Sequence, residues 1–277
     1  MEVLNMRINT NINSMRTQEY MRQNQDKMNT AMNRLSSGKS INSAADDAAG
    51  LAIATRMRAK EGGLNVGARN TQDAMSALRT GDAALGSISN ILLRMRDLAT
   101  QASNGTNNTE DTASLSKEYE ALKSEIDHIA NKTSFNGIKF LSTDKGGAAD
   151  IKVQLSDASG DTMTIDSLDA KKITTANLTT LADRGTAETE IKALDTAIQE
   201  LADARATFGS QLNRLDHNLN NVTSQATNMA AAASQIEDAD MAKEMSEMTK
   251  FKILNEAGIS MLSQANQTPQ MVSKLLQ

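Results

Sequence analysis

Few side chains in this sequence have the type and spacing that chemistry requires. His128 and His217 are its two histidines, and neither stands in a His-Glu-x-x-His run that would hold zinc beside a general base. Both read as structural. The absence of cysteine excludes disulfide scaffolds, thiol catalysis and cysteine-ligated metals together. Leu35-Ser36-Ser37-Gly38-Lys39-Ser40 ends like a phosphate loop, but Asn33 stands where the loop's first glycine belongs, and no strand precedes it. Asp46-Asp47, after Ser43 and before Ala48-Ala49-Gly50-Leu51, is the acidic pair that could meet a cation. Two carboxylates supply too few oxygens for that, so helix capping is the expectation. Arg94, Arg96 and Asp97, like Arg205 and Asp216, read as charges on solvated helix faces. No catalytic residue, metal ligand or cofactor site emerges, and the expectation is a protein that is not an enzyme.

The elements that would position these residues are long helices. At average usage a chain of 277 residues holds about fourteen prolines, and this one holds 1, at Pro269. With no Trp, 2 Tyr and 4 Phe it has few large rings for a wide core, whereas Ala, Leu, Ile and 16 Met suit the narrow seam between packed helices. The clearest seam runs through Leu64, Ala68, Thr71, Met75, Leu78, Gly81, Leu85, Ile88, Leu92, Met95, Ala99 and Ala102 in steps of three or four, the coiled-coil rhythm. Asn104 to Thr109 breaks it. A second helix carries Leu115, Tyr119, Leu122, Ile126 and Ile129.

Between about 140 and 185 the texture changes. Ile151, Val153 and Leu155 alternate with polar residues, Asp157 to Asp161 is turn-rich, and Met163 and Ile165 alternate again, which predicts a β-hairpin. Ser142, Thr143, Ser156, Ser159 and Thr162 around it read as solvated loop. A long helix then runs back through Leu194, Leu201, Phe208, Leu215, Val222 and Ala233. The last segment keeps a weaker apolar face at Met245, Met248, Phe251, Leu254, Met261 and Leu262. Near the other end Met21, Met28 and Leu35 form a heptad row with Met32 alongside. The chain reads as mainly α, a long antiparallel helical coiled-coil rod folded at a small hairpin, with its N- and C-terminal helices paired. So thin a pair buries little, which points to assembly with neighbours.

Charge narrows the partners. Lys and Arg total 29 and Asp and Glu 34, for a net −5 spread along the chain, so there is no basic stripe for nucleic acid or an anionic membrane. No apolar run reaches the length of a membrane span, and Met1 to Arg7 lacks the apolar stretch of a secretory leader.

One long run identifies a family. Arg34-Leu35-Ser36-Ser37-Gly38 followed by Ile41-Asn42-Ser43-Ala44-Ala45-Asp46-Asp47-Ala48-Ala49-Gly50-Leu51-Ala52-Ile53 resembles the signature of bacterial flagellins. Met6 to Ser14, Leu92 to Gln101, Thr133 to Leu141, Phe208 to Leu215, Ser234 to Ala242, and Ala265-Asn266-Gln267 through Leu275-Leu276 resemble further family segments. Only about residues 142 to 185 are nondescript, where flagellins carry variable outer domains, so this is similar to a short form without a large one. Five residues precede Met6, where the likeness begins, which leaves Met1 or Met6 as the start.

The resemblance implies an inner assembly domain from residues 1–40 and 240–277 and a helical spoke from 41–239. Met21, Met28, Met32, Leu35, Met245, Met248, Phe251, Leu254, Met261, Leu262, Leu275 and Leu276 would then be subunit contacts in a helical homopolymer that serves as the propeller for motility. It further implies secretion through a type III export apparatus with an export chaperone, contact with junction and cap proteins, and an extracellular place in the flagellum. Arg94, Leu98 and Glu118 match a patch read by an animal innate immune receptor. A hook-filament junction protein is the near alternative. A chemoreceptor-like signalling coiled coil is the distant one, disfavoured by the midpoint hairpin, and an enzyme-bearing flagellin fails for want of a zinc motif and of length.

Overall fold

The structure is a computed structural model. It describes residues 10–139, 141, 150–165, 170, 178–181 and 183–275, with side chains through Gln267. Met6, Phe140, Ser142, Thr143, Leu276 and the side chains of Pro269 and Leu275 lie outside that set. In chain order the elements are α1 (Ile12–Ser37), α2 (Ala48–Ala102), α3 (Thr109–Lys132), β1 (Ile151–Gln154), β2 (Thr162–Ile165), α4 (Arg184–Glu237) and α5 (Met241–Leu275). The described residues fall into two compact units, one drawn from Met1–Ala59 and Asn228–Gln277, the other from Lys60–Thr227.

The 60–227 unit holds the apolar core. Every residue of the α2 seam from Leu64 to Ala102 is buried except Ala68, which is half-buried. The facing residues are Tyr119, Ile126 and Ala130 of α3 and Leu194, Leu201, Phe208 and Leu215 of α4. Polar pairs set the direction of packing. Thr71 meets Asn218 (3.3 Å), Asp82 meets Arg205 (2.8 Å) and Arg96 meets Asp195 (2.6 Å), so α4 numbering falls as α2 numbering rises and the helices are antiparallel. The stop after Ala102 is chemical: Asn108 and Asp111 form a reciprocal capping box that starts α3. Asp183 caps α4 by accepting from the Thr186 N–H at 2.8 Å.

One carboxylate is buried within this core. Glu190, 1% exposed, accepts from the Tyr119 hydroxyl at 2.8 Å and from both the N–H and the hydroxyl of Thr179. These bonds fasten the segment ahead of α4 to α3 and offset the cost of burying the carboxylate. Burial, reinforced by the Glu190 acceptor, pushes the Tyr119 hydroxyl well above the usual tyrosine range.

The hairpin falls where the sequence alternates, and most of the remainder of 140–185 lies outside the described residues. Two four-residue strands pair Ile151 with Ile165 and Val153 with Met163, and Val153, Met163 and Ile165 turn inward. Gly160, at φ 88°, supplies the left-handed turn residue. Two glycines four apart on α2 give the turn a seat. A Cβ at Gly63 would stand 2.5 Å from Asp157 Cβ, and one at Gly67 would stand 2.5 Å from the Leu155 carbonyl oxygen. Asn70 fixes the approach by donating to the Gln154 carbonyl at 3.2 Å.

Two neighbouring helical glycines should therefore respond oppositely to alanine. Gly67→Ala forces helix and hairpin apart and should cost about 1–3 kcal/mol. Gly62→Ala meets nothing within 4 Å and should gain about 0.5–1 kcal/mol from helix propensity. Urea denaturation of the two variants checks the signs.

Candidate assembly interface

The terminal unit is built around the antiparallel pairing of α1 with α5. Asn11 caps α1 by accepting from the Ser14 N–H (3.1 Å), and its own side-chain amide donates to the Ala265 carbonyl (2.8 Å). Further along, Asn255 donates to Gln25 (2.6 Å), the Lys27 ammonium lies 5.6 Å from the Phe251 ring centre, and Arg34 stands 3.5 Å from Glu244. At Gly258 the helices come so close that a Cβ would sit 2.8 Å from Met21 Cγ.

The covered positions recur in steps of three or four: Ser14, Thr17, Met21, Asn24, Met28, Ala31 and Leu35 on α1, and Glu244, Met248, Phe251, Asn255, Gly258, Leu262 and Ala265 on α5. Eight of the fourteen are small or polar. Among the described residues Arg34 Nε and Glu244 Oε2, both buried, find no hydrogen-bond partner, an uncompensated desolvation that weakens the seam. Many of the large apolar side chains lie elsewhere. Ile12, Met15, Tyr20, Met32, Met241, Met245, Ile253, Leu254, Ile259 and Met261 are all exposed, from 41% at Leu254 to 63% at Met261.

This divides the methionine and leucine stripes read from sequence. Met21, Met28, Leu35, Met248, Phe251 and Leu262 are half-buried along the intrachain seam, whereas Met32, Met245, Leu254 and Met261 face outward. Ile12, Met15, Tyr20, Ile253 and Ile259 were missed because they fall off the best-scoring stripe. Their signal was an excess of large apolar residues beyond what one seam can absorb.

The signature segment between α1 and α2 is a structural knot. Gly38 ends α1 in the left-handed region (φ 73°), and its carbonyl accepts from the Ala239 N–H at 2.9 Å. Ser40 N–H donates to the Glu237 carbonyl (2.7 Å), and Lys39 forms a β-bridge with Asp238. Glu237, buried, pairs with Lys39 Nζ and with Arg58 Nε (2.6 Å). Asp46 accepts from the N–H groups of Asn42 (3.2 Å) and Ser43 (2.9 Å) and from the Ser43 hydroxyl (3.1 Å). Asp47 caps α2 through the N–H groups of Ala49 and Gly50, both 3.0 Å. Gly50 sits close under this cap, where a Cβ would meet Asp47 Oδ2 at 2.4 Å and Ile41 Cδ1 at 2.7 Å and both side chains would have to shift. Ser36 and Ser37 are exposed. Gly38-Lys39-Ser40 thus lies at a helix C-terminus, whose partial negative charge opposes phosphate.

In the other unit, Arg94 and Glu118 are exposed and joined to each other (2.7 Å), while Leu98 is 1% exposed, within the core. The exposed apolar neighbour there is Leu93. His128 and His217 are exposed. Among the described residues no cluster of three or more His, Asp or Glu is placed to hold a metal, and no helix is long and apolar enough to cross a membrane.

Long paired helices whose ends fold together and keep apolar outer faces define a structural subunit. Comparison with known proteins names the family. Residues 8–146 match the bacterial flagellin N-terminal helical region and residues 191–276 the bacterial flagellin C-terminal helical region. A flagellin of Listeria monocytogenes is 45% identical over 98% of this chain and 99% of its own length. The crystal structure of Bacillus cereus flagellin is 75% identical, with a TM-score of 0.54, over 60% of this chain and 94% of that one. A putative flagellar hook-associated protein of Vibrio parahaemolyticus shares the fold at 15% identity, with a TM-score of 0.60, over 70% of this chain and all of its own. The chain belongs to the bacterial flagellin family and is a structural subunit of the flagellar filament, an extracellular appendage.

The knot makes the terminal unit acid-sensitive. Hydrogen bonds from Lys39 and then Arg58 hold the Glu237 carboxyl below its ordinary value of 4.5. Its contribution is present above that ordinary value and is lost as pH falls through the lower, folded one. Glu237→Gln should destabilise this unit by about 1–3 kcal/mol at pH 7, and the difference from wild type should shrink below about pH 4. Denaturant titrations across pH measure it.

Proposed function

We propose that the terminal unit is the assembly surface and that second copies of this chain cover the outer faces of α1 and α5. One observation carries the reading. Of the fourteen exposed large hydrophobic residues among those described, eleven belong to the terminal unit, while only four of the thirty-four buried hydrophobics do. The 60–227 unit shows the reverse balance of an ordinary core. An apolar surface of that extent calls for a partner, and in a flagellin the partner is the next subunit. Two different helix faces meeting between copies make a heterologous contact, which does not close and so grows a helical filament.

The same surface supports the finer roles that the family likeness implies. A thin, polar seam holds the ends only weakly until neighbours cover them, which suits export as unfolded chain through a type III apparatus and cover of α5 by an export chaperone beforehand. Junction and cap proteins with similar ends would meet the same faces at the two ends of a filament. Released subunits would present Arg94 and Glu118 to an animal innate immune receptor, with Leu98 acting from beneath as packing. The polymer works as a mechanical propeller and needs no catalytic site.

Seeded growth at neutral pH followed by electron microscopy tests the reading. Wild type should give filaments of uniform diameter, and removal of residues 1–40 or 240–277 should abolish them. Ile253→Ser with Ile259→Ser should also block growth while leaving the thermal unfolding of the 60–227 unit unchanged. Filaments from these variants at wild-type concentration would overturn the assignment.

A further inference from the structure

Methionine exposure differs sharply between the two units. Met75, Met95 and Met163 in the 60–227 unit are 9%, 0% and 5% exposed. In the terminal unit Met15, Met32, Met241, Met245 and Met261 are between 47% and 63% exposed. Among the described residues no other large apolar residue type supplies so many positions to that surface. A thioether is the most readily oxidised of the apolar side chains, and its reactivity follows its access to solvent.

We propose that these five methionines make the unassembled subunit a target for two-electron oxidants such as hydrogen peroxide, and that their oxidation blocks polymerisation. In the reaction the sulfur lone pair attacks one peroxide oxygen and the O–O bond breaks. The sulfur becomes a sulfoxide, and the peroxide is reduced to water once its departing hydroxide takes up the remaining proton. The product is polar and strongly hydrogen-bond accepting where the unmodified side chain was apolar. A sulfoxide carried into a subunit contact must lose its water without a matching donor. In a filament the same sulfurs are covered, so assembly protects them. The consequence is a one-way control on growth: oxidant acts on subunits that have not yet been added and spares polymer already formed. Restoring the thioether requires a methionine sulfoxide reductase.

The inference rests on the terminal unit being the assembly surface, and the experiment separates the two. Full-length subunits and preformed filaments are treated with graded hydrogen peroxide, and sulfoxide at each methionine is mapped by peptide mass spectrometry. Seeded growth of the treated subunits is then followed. The five exposed methionines should oxidise first in subunits and stay reduced in filaments, while Met75, Met95 and Met163 stay reduced in both. Oxidised subunits should need a critical concentration raised about tenfold or more. A variant with leucine at all five positions should lose the sensitivity, its peroxide-treated subunits growing as its own untreated subunits do. Equal oxidation of the five in subunits and filaments would overturn the assembly surface itself. Protection in filaments together with unimpaired growth of oxidised subunits, or a leucine variant as sensitive as wild type, would overturn the oxidation proposal alone.

Discussion

A pair of helices packed on a repeat of three and four can bury only one narrow stripe on each. Everything off that stripe must be polar enough to face water or be covered by something else. This constraint governs both units of the chain, with opposite outcomes. On α2, α3 and α4 the stripe is Leu, Ile, Met and Tyr, and the remaining faces carry Arg, Asp, Thr and Gln, so the 60–227 unit is complete alone. On α1 and α5 the stripe is Ser, Asn, Gly and Glu mixed with Met, Leu and Phe, and ten large apolar side chains stand outside it. The terminal unit folds but leaves its hydrophobic burial unfinished.

That inversion explains features which otherwise look like poor design. Gly258 brings α5 onto Met21, yet the close approach buries little apolar area. Arg34 and Glu244 are covered without complete hydrogen bonding, a cost that a more apolar seam would avoid. A tighter intrachain pair would turn Ile253, Leu254 and Ile259 inward and leave nothing for a neighbour to bind. Weak self-pairing and strong mutual pairing are the same arrangement seen from one chain and from many.

Much of this was legible in the sequence, and where it was not the reason is geometric. The α2 seam from Leu64 to Ala102 could be read residue by residue, because a regular apolar rhythm needs no tertiary information. The capping role of Asp47 followed from its position ahead of a helical run, whereas Asp46 turns back to Asn42 and Ser43 of the preceding loop. What periodicity cannot reveal is which of two competing stripes faces the chain's own partner helix. Both α1 and α5 are apolar on more than one side, so Met21 and Met32 looked equivalent until the path of the other helix was known. Gly63 and Gly67 were illegible for a related reason. Their role depends on a strand turn some ninety residues later in the chain arriving at that point on α2. Leu98, which the family likeness groups with Arg94 and Glu118, lies on the buried stripe even though Arg94, Arg96 and Asp97 beside it carry charge.

The charged residues Asp46, Asp47, Lys39, Arg58 and Glu237 gather about the junction of α1 and α2, and the architecture there shows why they are needed. Helices with a weak seam can slide past one another by a turn at small cost, and a slip would move every exposed apolar residue relative to the next subunit. The bonds of Gly38 to Ala239 and of Ser40 to Glu237 are directional backbone contacts that a slipped pair cannot make. The Glu237 carboxylate adds Lys39 and Arg58, from the loop and from α2, to the same point. With Gly38 stopping α1 and Asp47 starting α2 within ten residues, both helices on that side take their origin from one fixed place. A filament whose subunits bind through uniform apolar faces needs such a reference, since hydrophobic contact alone does not specify position.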